Sequence, residues 1–88
     1  MGVMKFRIEY IFHRERPAYV FARQLEPGDF ALTVNSRLGG VSIRPSVSQP
    51  RTIKPDGTPD LSVFAFVLAT ADDLPRFAVG QVVELEAQ

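Results

Sequence analysis

The stretch "MKFRIEYIF", residues 4–12, constrains the fold more than any other. Met4, Phe6, Ile8, Tyr10 and Phe12 are apolar while Lys5, Arg7 and Glu9 between them are charged, so the hydrophobic period is two. Such a period places successive side chains on opposite sides of an extended chain, which makes a strand with one dry and one wet face. It predicts that Phe6, Ile8, Tyr10 and Phe12 all point into a core.

Turn residues punctuate the chain after this strand. "HRERP", residues 13–17, breaks the pattern, because proline lacks a backbone donor and pushes Arg16 toward extended geometry. Residues 18–25 read as a second strand with aromatics at Tyr19 and Phe21. Pro27-Gly28 predicts a type II turn, and residues 30–34 a third strand. "NSRLGG", residues 35–40, reads as a loop. Residues 41–51 are extended but carry Pro45 and Pro50, which favours an edge or an irregular crossing over a central position. Residues 50–59 hold three prolines and a Pro-Asp-Gly turn without apolar periodicity, and are expected to be a mobile loop. "SVFAFVLAT", residues 62–70, is apolar on both faces, as in a strand covered on each side or one whose outer face meets a partner. Thr70 and Asp73 have capping-box spacing, and Pro75 holds the following helix to about one turn. Residues 81–86 give a last strand with Val83 and Leu85 inward and Glu84 and Glu86 outward. Nothing divides the chain, so the expectation is one all-β domain over residues 1–88. Six short strands and one helical turn near residues 71–75 point to a small six-stranded antiparallel barrel, whose closure removes aggregation-prone edges.

Composition supports a packed core, with 45% hydrophobic and 23% charged residues. Absence of cysteine excludes a disulfide framework, a thiolate metal site and a cysteine nucleophile, and fits a reducing cytosol. Charges at Lys5, Arg7 and Glu9 interrupt any secretory h-region. The longest apolar run, residues 63–69, is far shorter than the roughly 20 residues a membrane helix needs. Phe6 stands where a myristoylation signal wants a small hydroxyl residue. A soluble, cytoplasmic protein is expected.

Few chemistries fit the residues present. No phosphate-binding glycine loop of the G-x-x-x-x-G-K-[ST] type occurs. His13 is the sole histidine, so a multi-histidine zinc site or a conventional Ser-His-Asp triad cannot be assembled; it reads as a solvated hairpin residue, with pH sensing or catalysis as alternatives. Asp72 and Asp73 read as carboxylates favouring the positive end of a helical turn rather than as an acid-base pair. No motif requires a metal or cofactor. Tyr10, Phe12, Tyr19, Phe21, Phe64, Phe66 and Phe77 would stack bases if exposed, but their alternation assigns most of them to the core.

Charge is uneven although the formal net charge is zero. Residues 1–54 hold nine cationic side chains against four anionic, and residues 55–88 one against six. This suggests a basic face for an anionic partner, or two halves that attract each other. Arginine outnumbers lysine eight to two, which suits forked phosphate or carboxylate recognition, though a G+C-rich coding bias gives the same excess. The candidate partner-binding residues are Arg14, Arg16, Arg23, Arg37, Arg44, Arg51 and Lys54.

"RPAYVFARQLEPGDFAL", residues 16–32, resembles the C-terminal β-barrel of bacterial elongation factor Tu, where an Arg-Pro pair opens an aromatic strand; Arg16, Pro17, Tyr19 and Phe21 carry the likeness. "DLPRFAV", residues 73–79, is similar to an Arg-Phe-Ala segment of the same barrel through Arg76, Phe77 and Ala78. The two segments cover about a quarter of the chain, and the family's glycine- and arginine-rich run after Phe-Ala is replaced here by "VGQVVEL". The resemblance implies a translation-factor-type barrel that touches tRNA and partner proteins, without GTPase activity. The expected function is therefore a non-catalytic binding module contacting RNA or an acidic protein surface. Alternatives are an assembly role, in which Val63, Ala65, Val67 and Ala69 give a flat homo-oligomeric contact, and a small enzyme.

Overall fold

The structure, a computed structural model, describes residues 3–12 and 17–86. Eight strands succeed one another in chain order: β1 (Val3–Phe12), β2 (Tyr19–Gln24), β3 (Arg37–Leu38), β4 (Val41–Ser48), β5 (Thr52–Ile53), β6 (Pro59–Asp60), β7 (Val63–Leu68) and β8 (Val82–Glu86). A 3-10 turn, Ala71–Arg76, joins β7 to β8. Six of the strands form an antiparallel closed barrel in the order β1-β2-β7-β4-β3-β8, and β1 pairs with β8 from Val3↔Glu86 to Arg7↔Val82 to complete the ring. Among the described residues no helix is long and apolar enough to cross a membrane.

The core obeys the period of two. Phe6 and Ile8 of β1, Val20 and Ala22 of β2, Phe66 and Leu68 of β7, and Val83 and Leu85 of β8 are buried inside. Phe6 stands at the centre of an edge-to-face group, with its ring centroid 5.1 Å from Phe66, 5.4 Å from Phe30 and 6.2 Å from Phe64. Offset and perpendicular geometries of this kind add to the burial of the rings themselves. Leu74 and Phe77 enter the same core from the segment that leaves β7.

β1 departs from expectation where it matters most. Its register with β2 runs Phe6↔Gln24, Arg7↔Arg23 and Ile8↔Ala22, then resumes at Tyr10↔Phe21, so one extra residue sits in β1. A β-bulge of this kind reverses the side that later residues face. Ile11 thus packs against the core, while Tyr10 and Phe12, assigned inward by the alternation, stand on the outside with Tyr19 and Phe21. Phe64, Phe66 and Phe77 belong to the core as expected.

The third barrel strand is also displaced. Residues 30–34 form no strand; Phe30 and Leu32 instead pack on the core from the β2–β3 connection. That connection is held by the Gln24 amide, which donates to the Gly28 carbonyl at 2.8 Å. Gly28 has φ of 139°, well past the roughly 80° of a type II turn. β3 lies within the expected loop, and Gly39-Gly40, with φ of 60° and 80°, makes the two-residue turn that pairs Leu38 with Val41. A Cβ on Gly39 would come within 3.0 Å of the Val83 side chain.

β4 is an interior member of the ring, paired to β3 and β7, rather than an edge. Pro45 is accommodated because the β4–β7 register shifts between Ile43 and Val47, where a missing backbone donor breaks no ladder bond. Residues 50–59 are not an open loop: β5 and β6 make a ribbon, closed by Lys54 N donating to Thr58 O at 2.8 Å and by the Asp56 carboxylate accepting from the Thr58 N–H and hydroxyl. Thr70 caps the 3-10 turn, its hydroxyl accepting from Asp72 N, and Pro75 lies inside the turn.

Truncation should separate inner from outer aromatics. Phe66→Ala is expected to lower unfolding free energy by about 3–5 kcal/mol. Tyr10→Ala, at a residue 60% exposed, should lower it by less than about 1 kcal/mol. Chemical denaturation of both variants measures this, and equal losses would place Tyr10 inside.

Candidate functional site

The registers lay the outer residues out in rows. Arg7, Arg23 and Val63 face one another across β1, β2 and β7; Tyr10, Phe21, Ala65 and then Ser48 of β4 form the next row; Phe12, Tyr19 and Val67 form the third. Rows two and three are an aromatic patch on β1 and β2 beside small aliphatics on β7.

The rings pack on each other. Phe12 and Tyr19 are stacked, with centroids 4.4 Å apart and planes 18° from parallel. Phe21 lies 4.7 Å from Phe12, and Tyr10 meets Phe21 edge-on at 6.0 Å. Ala65 and Val67 are too short to rise to the level of the rings, so a shallow depression of about 400 Å³ opens between Tyr19 and Phe21 on one side and Ser48 and Pro50 on the other. Pro50 also borders a second depression of about 420 Å³, which runs along the β5–β6 ribbon past Arg51 and Ile53.

The first row balances its own charges. Arg7 and Arg23 stand directly opposite, a like-charge pairing that destabilises a sheet. Glu9, at the bulge, offsets it by accepting from Arg7 Nε at 2.8 Å and from Arg23 Nε at 3.4 Å. Arg23 also reaches Asp60 of β6, with Nη1 2.9 Å from Oδ2. The Asp60 side chain is only 7% exposed. The Ser62 N–H holds its carboxyl below the usual range against the cost of burial, with help from the Arg23 and Lys54 charges. Burial pulls the Arg23 guanidinium down, but bonds and charge from Asp60 and Glu9 outweigh it and leave it above its ordinary value. Asp56 is likewise held low, by the Thr58 hydroxyl and N–H.

Of the seven predicted partner-binding cations, the five among the described residues are spread over β2, β3, β4 and the β5–β6 ribbon. Arg23 is committed to Glu9 and Asp60. Arg37, on β3, stands opposite Glu86 of β8. Arg44 lies where the β4 register shifts, and Arg51 and Lys54 are on the ribbon. Arg37, Arg44, Arg51 and Lys54 are exposed and, among the described residues, enter no ion pair. Arg14, Arg16 and His13 lie outside the described residues. Of the four residues expected to give an oligomeric contact, Val63 and Ala65 are largely covered within the chain, being 3% and 7% exposed, with Ala65 reached only at the floor of the depression, while Val67 and Ala69 offer more surface.

Sequence reasoning missed the outward aromatic patch and the acidic partners of Arg23. One signal for the patch exists: Tyr10-Ile11-Phe12 is an unbroken apolar triplet in an otherwise alternating strand. Asp60 has no such signal, since it reaches Arg23 from a ribbon that sequence periodicity does not reveal. Comparison with protein-family models, curated proteins and solved structures finds no match to this chain.

A carboxyl held low in the folded state stabilises it above the unfolded value near 3.9 and loses that contribution as pH falls through the folded value. Stability should therefore decline on acidification below about pH 5. Asp60→Asn should flatten that decline, leaving the part due to Asp56. Thermal melts from pH 7 to pH 2 test this, and an unchanged acid slope would mean that the Asp60 carboxylate, held by the Ser62 N–H and Arg23, contributes nothing.

Proposed function

We propose that this barrel is a non-catalytic binding module for RNA, of the elongation factor Tu type that residues 16–32 and 73–79 resemble. The carrying observation is that, among the described residues, Arg37, Arg44, Arg51 and Lys54 are exposed and enter no ion pair, while Glu9 and Asp60 are each paired with Arg23. Exposed guanidinium groups fork onto phosphate oxygens, and each phosphate neutralised releases counterions. Arg51 and Lys54 are the best placed, because the ribbon that carries them borders the depression shared with the patch through Pro50. Arg14 and Arg16 join the set by sequence, between Phe12 and Pro17. Arg37 is the weakest member, since it faces Glu86.

Fluorescence anisotropy with labelled tRNA and a random single strand, at several salt concentrations, tests this reading. The logarithm of affinity should fall linearly with the logarithm of salt. Arg51→Glu with Lys54→Glu should weaken binding and make the slope shallower by about 1.4 on a single strand, two phosphate contacts being lost. Arg14→Glu with Arg16→Glu should weaken binding with little change in melting temperature. Flat curves at low salt would overturn the reading and turn the search to an acidic protein.

A further inference from the structure

We propose, resting on the RNA reading, that the outer face of β1, β2 and β7 is a base-stacking platform for single-stranded RNA. The depression between Tyr19, Phe21 and Pro50 receives a base over the floor of Ala65 and Val67.

Three observations carry it. First, the bulge in β1 turns Tyr10 and Phe12 outward beside Tyr19 and Phe21, so four rings lie within 4.4–6.5 Å of their neighbours on a surface where Tyr10 stays 60% exposed. Every base presents a π-face, so such a surface accepts successive bases without reading sequence. Second, the volume of about 400 Å³ falls in the roughly 300–1,000 Å³ range of small-ligand sites, and the walls are planar rings and prolines that suit a flat guest. The bases of a duplex are stacked internally and cannot reach such a floor; those of a single strand can.

Third, the charges complement a polyanion. Among the described residues no carboxylate lines the depression; Glu9 is bonded to Arg7 and Arg23, and Asp60, which lines the second depression, is bonded to Arg23. Beyond Pro50 the surface continues along the second depression, where Arg51 meets it, so a strand with a base over Ala65 can carry its phosphates toward the ribbon. An acidic protein surface would satisfy the cations but would leave the rings without a planar guest.

The protein supplies its own reporter. It has no tryptophan and two tyrosines, Tyr10 and Tyr19, both on this face. The full chain is titrated with a twelve-nucleotide single-stranded RNA and with the same sequence in a duplex, following tyrosine emission and the anisotropy of the labelled RNA. Single strand should quench the tyrosines and bind at least tenfold tighter than duplex. Tyr10→Ala and Phe21→Ala should each weaken single-strand binding about 5- to 150-fold. Phe21→Leu keeps an apolar group of similar size without the ring; it should lose affinity while melting close to the parent protein, so a folding defect in Phe21→Ala cannot mimic the result. Equal affinity for the two forms, unchanged emission and undiminished binding by the ring variants, with binding still lost in the Arg51 and Lys54 reversals, would overturn the platform and leave the RNA reading standing. Absence of binding by either form would overturn both.

Discussion

The extra residue in β1 between Ile8 and Tyr10 decides which side of the barrel the rest of that strand serves. Without it, Tyr10 and Phe12 would join Phe6 and Ile8 inside, and the interior already holds Phe6, Phe30, Phe64 and Phe66 in edge-to-face contact. Interiors pack close to crystal density, so two more rings there would force strain or a wider ring of strands. With the bulge, Ile11 takes the inward place and the rings move out, where β2 meets them with Tyr19 and Phe21 in register. The core and the outer face are set by one local event.

The same event positions the charges. Glu9 sits where the bulge forms and between two arginines that the register sets face to face. Arg23 then extends to Asp60, tying the β5–β6 ribbon to the barrel wall by a partly buried, hydrogen-bonded pair. Breaking one partner of such a pair costs more than making it gains, because the other is left charged and poorly solvated. Arg23 therefore serves the architecture, a role that counting arginines along the chain does not reveal.

Much of the architecture was legible in the residues. Alternation in residues 4–8 and in β8, and the continuous apolar run of β7, indicated strands, and the Thr70 cap indicated the start of the helical turn, which runs on past Pro75 to Arg76. What escaped was non-local. β3 has two residues, too few for any periodicity, and exists because Leu38 and Arg37 find partners in both β4 and β8. Residues 30–34 read like a strand but pair with none, and Phe30 instead packs its ring against Phe6, Phe64 and Phe66. Pro45 read as evidence against a central strand because a register shift that spares its missing donor depends on the facing strand. At the candidate site, the residue types were in view, but their grouping depended on a bulge whose only trace was the triplet Tyr10-Ile11-Phe12.

The outer walls of the ring differ. Each barrel strand is paired on both sides, but β3 covers only two residues each of β4 and β8, so the seam there is the thinnest in the ring. The wall of β8 presents Glu84 and Glu86 near Lys5 and Arg37 of the flanking strands, a mixed surface of the kind that keeps small domains soluble. The wall of β1, β2 and β7 instead presents four aromatic rings, a small-residue floor and acids already bonded to arginine. A chain of 88 residues has little apolar surface to spare from its core, so rings left on the wall forgo part of the burial they would contribute inside, and packing against one another recovers some of it.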